Sequence, residues 1–481
     1  MSDQGRTPVG AGANALVALL VVAELAAGAI IAYVGLDWRS PLIASGRDRV
    51  FTHVMVSAAV LSAIAAWQWT LKSRHRGLLR LGALYLALFA LAGVTGSFSA
   101  EARFRAVRAA ILDHGDTAGL KLNGIGGHLI VGYKAEADIQ KLIRQEVVAG
   151  VFITSRNTGH RPQSQIAAEI AGWQRTRVSL GLPPLLITAD QEGGLVSHLS
   201  PPLKRRGSLG EAIAPEPDRE KRIAIAHAYG SAQGAELTAL GVNVNFAPVV
   251  DLNFGVRGRN DAHTRIYKRA IGRDPALVTD LAGAYCEGLQ EAGVLCTLKH
   301  FPGLGRVSGD THIAEARLAL PMADLVTSDL MPFASLIGEP NRLTMLSHVR
   351  LMAIDADAPA SLSGKVVTGL LRQGWHHAGI LVTDDITMRA AYASGRKRGL
   401  GSAAEAAIRA LNAGVDLVLI SFDTDQVYPV LAALADAHGN GTLGRDTLAE
   451  STARLAPLIA RLAGPPAARF PPAGRQTAPR E

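Results

Sequence analysis

The chain predicts a parallel α/β fold, a (β/α)8 TIM-type barrel preceded by about three transmembrane helices. Three observations carry this reading. Eight apolar runs of strand length alternate with segments of helical spacing, the pattern of repeated βα units. Charged residues and histidines collect at the C-terminal ends of those runs, where such barrels keep their chemistry. Finally, the apolar excess of this 481-residue chain, 48% hydrophobic overall, sits in its first hundred residues. An open doubly wound sheet is the alternative for the α/β part.

Residues 1–108 read as a membrane domain. Its spans are 13–36, interrupted only by Asn14 and Glu24, then 53–71, then 78–98, whose one charge is Arg80. Each reaches or approaches the ~20 residues that a helix needs to cross a bilayer core. The first alone would also suit a cleaved signal peptide, but two further spans directly behind it argue for a membrane domain. The loop and the start of the third span carry Lys72, Arg74, Arg76 and Arg80 without an acid, so the positive-inside bias keeps this end cytoplasmic. Everything after Phe98 then lies outside. Arg39, Arg47, Arg49, Arg103, Arg105 and Arg108 run against that orientation, and Asp37, Asp48 and Glu101 dilute them only in part. The lipid bilayer is an expected partner.

The region 109–463 holds the alternating pattern. Strand-like runs begin at His128, Gly150, Pro184, Val242, Val294, Leu343, Gly379 and Val415. Several helical segments between them end in Gly just before the next run, the usual C-cap. The tail 464–481 is rich in Pro, Ala and Arg, lacks apolar periodicity and reads as disordered. The net charge of +8 comes from the membrane flanks and this tail. Without an aromatic-basic stripe or a binding motif, nucleic acid is not an expected partner. Cys286 and Cys296 read as buried thiols, with a bridge open to them in an oxidising compartment but not demanded by their spacing.

The chemistry concentrates in KHFPGLGRVSGDTH, Lys299 to His312, directly after an apolar run. It gathers a cation, two imidazoles and a carboxylate. A matching acidic pair, Asp384 and Asp385, ends the run GILVTDD. Asp190, Asp251 and His348 close other runs. Either aspartate of the pair would also suit a helix N-cap. Lys299 and His300 would also suit a polar seal of the barrel mouth. His312 would also suit an exposed loop, and His348 a core lining. A zinc site from His300, Asp310, His312 and His348 is open chemically, yet no close-spaced ligand pair on a helix supports it. Glu192 reads as structural in its loop.

From about residue 119 to 462 the chain resembles the glycoside hydrolase family 3 barrel, and most of all its bacterial β-N-acetylhexosaminidase branch. GVFITSRN (150–157), ITADQEGG (187–194), LGVNVNFAPVVDLN (240–253), KRAIGRDP (268–275), KHFPGLG with GDTH (299–312), MLSHV (345–349) and VTDDITM (382–388) carry the resemblance, in the family's order. It implies that Asp384 is the nucleophile, that His312 is the general acid/base, and that Asp310 pairs with that histidine. It implies that Asp190, Arg269, Lys299 and His300 hold the sugar, with a structural role for Arg156 and Asn157.

The implied reaction is a retaining exo-β-N-acetylglucosaminidase cleavage through a glycosyl-aspartate, needing no metal or cofactor. The implied substrate is a carbohydrate with terminal β-linked N-acetylglucosamine, from peptidoglycan fragments at the outer face of the bacterial inner membrane. A β-glucosidase or phosphorylase of the same family, and a weakened membrane-bound muropeptide sensor, are the alternatives. The chain also departs from the pattern. Leu195 and His198 stand where two arginines are usual, so His198 is the expected sugar contact there. Leu304 replaces a frequent His, and Arg306 to Ser308 lack common acids. Oligomeric state is not legible.

Overall fold

The computed structural model describes residues 9–72, 75–114, 124–159, 161–258, 261, 263–339, 341–396 and 402–464. Apart from Gly464, the tail expected to be disordered lies outside them. The chain divides into two compact units, Met1–Arg108 and Ala109–Glu481.

The first unit is helical. Helices α1 (Val9–Leu36), α2 (Arg47–Thr70) and α3 (Arg76–His114) are each long and apolar enough to cross a membrane. The largest departures from the expected spans are at two boundaries. Helix α2 starts at Arg47 rather than residue 53, and α3 runs on to His114 rather than stopping at 98. Hydropathy ends a span at its first charges, but charges do not end a helix. After Gly96 the sequence is rich in Ala and Arg with no Pro, and these propensities extend the helix. Many side chains facing outward are apolar, among them Leu16, Leu19, Val60, Trp67, Leu84 and Leu88. Inside, the buried Gln68 donates from Nε2 to Glu24 at 2.6 Å, satisfying a polar group on each of two facing helices.

The second unit is α/β. Its eight principal strands are β1 (Leu129–Val131), β2 (Gly150–Phe152), β3 (Leu186–Ala189), β4 (Val244–Asn245), β5 (Cys296–Phe301), β6 (Arg342–Leu346), β7 (Leu381–Thr383) and β8 (Val418–Ile420). They match the eight runs read from sequence, and every ladder among them is parallel. One sheet has the order β8-β1-β2-β3-β4 and the other β7-β6-β5. Isolated parallel bridges, Val244–Leu295 and Val249–Lys299, join β4 to the β5 segment. A third, Val382–Leu417, joins β7 to the residue before β8.

Ile130, Phe152, Leu186, Val244, Leu343, Val382 and Leu419 meet in one buried cluster with Leu455, Leu458 and Leu462 of the last helix. Strands buried on both faces explain why the runs are continuously apolar rather than alternating. With the strand interiors apolar, the polar groups are left at the strand ends.

The disulfide Cys286–Cys296, with Cα atoms 5.4 Å apart, corrects the expectation of two free thiols. The helix Pro275–Glu291 ends and the chain turns through Gly293 (φ +80°) into β5. That reversal lays the end of the helix against the strand's first residue. Sequence spacing does not contain this folding-back.

Candidate active site

The polar residues sit where β3, β5, β6 and β7 end. Asp190 directly follows β3, Lys299 and His300 lie within the last residues of β5, and Asp384 directly follows β7. The backbone N–H of Asp384 donates to the Leu346 carbonyl at 2.8 Å, which extends the β6–β7 pairing by one residue.

The adjacent aspartates are unlike. Asp385 is buried, and its two oxygens accept from the Thr387 N–H and hydroxyl and from Ser421 and Phe422. It ties the loop after β7 to the end of β8. Asp384 accepts only the Asp385 N–H, at 2.8 Å on Oδ1. Among the described residues no donor reaches its other oxygen. Burial acts to raise the Asp384 carboxyl, but the imidazoles of His300, His348 and His312 outweigh it and hold the group below the ordinary aspartate range.

Two of those imidazoles are paired with carboxylates. The His312 Nδ1 lies 2.8 Å from Asp310, and its backbone N–H donates to the same oxygen at 3.0 Å. Asp310 is buried and also accepts from the His263 N–H at 3.0 Å and the Thr264 hydroxyl at 3.2 Å. Burial acts to raise its carboxyl, and the His312 and His263 hydrogen bonds overcome that, so it stays well below its usual value. The loop that carries His312 is docked beside the Asp384 loop. Arg389 N–H donates to the His312 carbonyl and Ala390 N–H to the Thr311 carbonyl, each at 3.1 Å. Residues nearly eighty positions apart in sequence thereby become neighbours.

The second pair is Asp251–His300, with Nδ1 2.6 Å from the carboxylate. Asp251 also accepts the backbone N–H groups of His300 and Leu304. The other ring nitrogen of His300 lies 3.2 Å from the Arg269 guanidinium. A guanidinium only donates, so this Nε2 accepts and the proton sits on Nδ1.

Arg269 is fully used. It makes a bidentate pair with Glu192 at 2.6 and 2.9 Å and donates to the Thr264 carbonyl at 2.8 Å. Lys299, 1% exposed, bonds Asp190 and Glu192, each at 2.6 Å. Burial alone would lower both cations, yet the carboxylates leave them above their usual values. Likewise burial would raise Glu192, and Arg269 with Lys299 hold it well below the usual range.

Sequence reading underrated Glu192 and did not place Asp251 among the site residues. Glu192 is more than a loop strut, because a buried carboxylate between two cations makes each of them affordable. The signal was its position two residues beyond Asp190 on a strand end. Gly193 (φ +93°) makes that turn possible, since a Cβ there would lie 2.1 Å from the Tyr229 hydroxyl oxygen. His198 makes ring contact with Phe152 at 6.2 Å, and its backbone N–H donates to the Asp190 carbonyl at 3.1 Å, but among the described residues its imidazole has no hydrogen bond to the cluster. The buried His348 bonds Ser361 and the Asp385 carbonyl, so it props the Asp384 turn from beneath. Burial lowers its pKa. Arg156 ties the end of β8 through the Ser421 and Phe422 carbonyls, and Asn157 completes a capping box with Thr154. Among the described residues, no three His, Cys, Asp or Glu side chains are grouped to hold a metal ion.

Comparison with known proteins identifies the family. The family model "Glycosyl hydrolase family 3 N terminal domain" matches residues 119–458. Beta-hexosaminidase LpqI of Mycobacterium tuberculosis is 33% identical over 335 residues, covering 68% of this chain and 80% of that protein. Beta-hexosaminidase of Xylella fastidiosa is 34% identical over 330 residues, covering 66% of this chain and 91% of the relative. Among solved structures, a family 3 beta-N-acetylglucosaminidase from Paenibacillus sp. superposes with a TM-score of 0.60 at 30% identity, covering 74% of this chain and 64% of that one. The chain therefore belongs to glycosyl hydrolase family 3, and it is a glycoside hydrolase.

Proposed function

We propose that the protein is a retaining exo-β-N-acetylglucosaminidase held at a membrane by its first unit. The observation that carries the mechanism is the docking of the Asp310–His312 loop beside Asp384, whose second oxygen is unengaged. In the first step that oxygen attacks the anomeric carbon and the glycosidic C–O bond breaks. His312 Nε2 gives its proton to the leaving oxygen. In the second step His312 Nε2 takes a proton from water, the water oxygen bonds to the anomeric carbon, and the ester to Asp384 opens. Asp310 holds Nδ1, so the same outer nitrogen serves both steps. Asp190, Lys299, Arg269, His300 and His198 are the groups assigned to the sugar hydroxyls. Asp190 keeps a partly exposed carboxylate, while the side chains of Lys299, Arg269 and His300 are buried and act through the orientation their partners impose.

The bridges joining β4 to β5 and β7 to β8 support closure of the two sheets into one eight-stranded barrel, with region 109–463 as the catalytic domain and 1–108 as the membrane domain. Three spans and a cytoplasmic loop at 72–80 support an outer-face placement. The Cys286–Cys296 disulfide adds to this, because such bridges persist in oxidising compartments. The substrate is then a glycan fragment with terminal β-linked N-acetylglucosamine, as the beta-N-acetylglucosaminidase and beta-hexosaminidase names of the relatives suggest, with cell-wall peptidoglycan as its source. A slow 2-fluoro or 5-fluoro glycoside tests the whole reading. We expect a covalent adduct on the peptide holding Asp384, seen by mass spectrometry and missing in Asp384→Asn. An adduct elsewhere, or inversion of configuration in the product, overturns the mechanism.

A further inference from the structure

The loop that carries His312 runs from Pro302 to Glu315 and contains no helix or strand. Its ends are nonetheless fixed. Glu315 pairs with Arg350 at 2.8 Å, and the strand Ala316–Leu318 that follows lies parallel to Val349–Leu351. At the other end the Leu304 N–H donates to Asp251 at 2.7 Å. Gly305 approaches Leu252 so closely that a Cβ there would lie 1.8 Å from its carbonyl oxygen. Between these ends the loop must bring an imidazole to one place. A general acid has to stand within about 3 Å of the leaving oxygen. A misplacement of about 1 Å costs on the order of a hundredfold in rate.

Arg306 stands six positions before His312. Its Nε donates to Asp329 at 2.8 Å, and its guanidinium lies 3.6 Å from the centre of the Phe254 ring. Those two partners come from different parts of the unit. Phe254 is on the loop after β4, and Asp329 sits between the helices Met322–Val326 and Met331–Leu336. This is not an exposed ion pair of the kind that contributes little. Asp329 is 1% exposed, and the same oxygen also accepts the Ser328 hydroxyl at 2.9 Å. Among the described residues its other oxygen has no donor, and Arg306 is the one cation paired with it. Separating the pair would leave a buried charge uncompensated, so the carboxylate holds its cation firmly. The ring face restrains the guanidinium from a second direction. The residues after Arg306 offer no substitute anchor. Val307 and Gly309 lack a polar side chain, and Ser308 makes no side-chain hydrogen bond among the described residues.

We propose that Arg306 is a positioning residue of the reaction. Clamped between Asp329 and Phe254, it fixes the first half of the loop, as Arg350 fixes the far end through Glu315. The two clamps together set where His312 stands against Asp384. Arg306 acts through the backbone and touches no reacting atom. This role rests on the assignment of His312 as the acid.

The test uses the full-length protein in phosphatidylcholine nanodiscs and two substrates. One is a β-N-acetylglucosaminyl disaccharide, whose sugar leaving group needs a proton. The other is the 2,4-dinitrophenyl β-N-acetylglucosaminide, whose leaving group needs none. Arg306→Met alone would strand the Asp329 charge and endanger the fold, so the main variant is R306M/D329N, which removes both charges. We expect its kcat/KM on the disaccharide to fall by about ten- to a hundredfold, the cost of a displaced acid, and to fall much less on the dinitrophenyl glycoside. R306K keeps a cation for Asp329 and recovers most of the loss. Phe254→Leu keeps the ion pair and gives the same pattern at smaller size, and it decides the matter if the double variant does not fold. Equal losses on the two substrates, or no loss on either, overturn the positioning role. So does an R306K variant no better than R306M/D329N. His312→Gln separates the two levels of the reading. If it shows no dependence on the leaving group, the acid assignment fails and the role of Arg306 with it. If it shows that dependence and the Arg306 and Phe254 variants do not, only the role of Arg306 fails.

Discussion

Asp251–His300 and Asp310–His312 are built from the same two residue types at nearly the same separation, 2.6 and 2.8 Å. They nonetheless offer different chemistry. His300 is held at both nitrogens, between Asp251 and Arg269, and its side chain is 6% exposed. His312 is held at one nitrogen, and its side chain is 37% exposed. Among the described residues nothing bonds its Nε2. An imidazole pinned on both sides can orient a neighbour, whereas one pinned on a single side can exchange a proton with a substrate. The unoccupied nitrogen, not the pairing with aspartate, separates a positioning group from an acid/base.

Four substitutions probe that contrast, taken from the largest expected effect. Asp384→Asn removes the carboxylate that both imidazoles face. Its kcat falls by about ten-thousand-fold or more, as for other removed nucleophile or triad groups, with the thermal midpoint nearly unchanged. His312→Gln removes only the group proposed to carry the proton. Its kcat falls by roughly a hundred- to ten-thousand-fold, and the loss is smallest for aryl leaving groups that need no protonation. If His300→Gln instead shows that dependence on the leaving group, the two roles are exchanged.

Asp251→Asn leaves the His300 ring without its charged partner. It is expected to raise KM more than it lowers kcat, and to destabilise the fold by about 2 kcal/mol, the worth of a hydrogen bond to a charged group. A pure kcat effect with unaltered KM would count against a positioning role. Glu192→Gln has the smallest expected effect on the chemical step. It removes the negative charge between Lys299 and Arg269 while keeping the shape, so KM rises and Glu192→Asp recovers part of the loss.

The same network sets a pH dependence. Glu192, Asp310 and Asp384 are all held below their ordinary values of 4.5, 3.8 and 3.8. The unfolded chain therefore takes up protons first as pH falls. The stability these carboxylates contribute is complete above their ordinary values, and it is lost as pH drops through the folded ones. Denaturant midpoints should hold from neutral pH down to about 5 and decline below about 4, with a shallower decline in Glu192→Gln. A decline that begins near pH 6 would point to histidine titration instead.

Much of this is legible in the sequence. The eight runs became eight parallel strands because a strand buried on both faces must be apolar along its length, a demand visible in one dimension. The polar strand ends were visible for the same reason, as departures from that rule. Asp384 could be told from Asp385 only in part. Both end the same run, and their difference lies in donors from Thr387, Ser421 and Phe422, two of which follow another strand, β8. The extension of α3 past residue 98 was missed because hydropathy measures the solvent a helix prefers, not where its hydrogen bonds stop.

The amino-acid order alone determined which segments are strands, which three helices suit a bilayer, and which side chains stand at the strand ends. These are local properties, governed by periodicity and burial. Only the tertiary structure decided the partners. Glu192 lies between Arg269 and Lys299, Asp251 beneath His300, Cys286 on Cys296, and the His312 loop against Ala390. Each contact joins residues that a linear pattern cannot connect. Its strength depends on distance and on exclusion of water, and both exist only once the chain has folded.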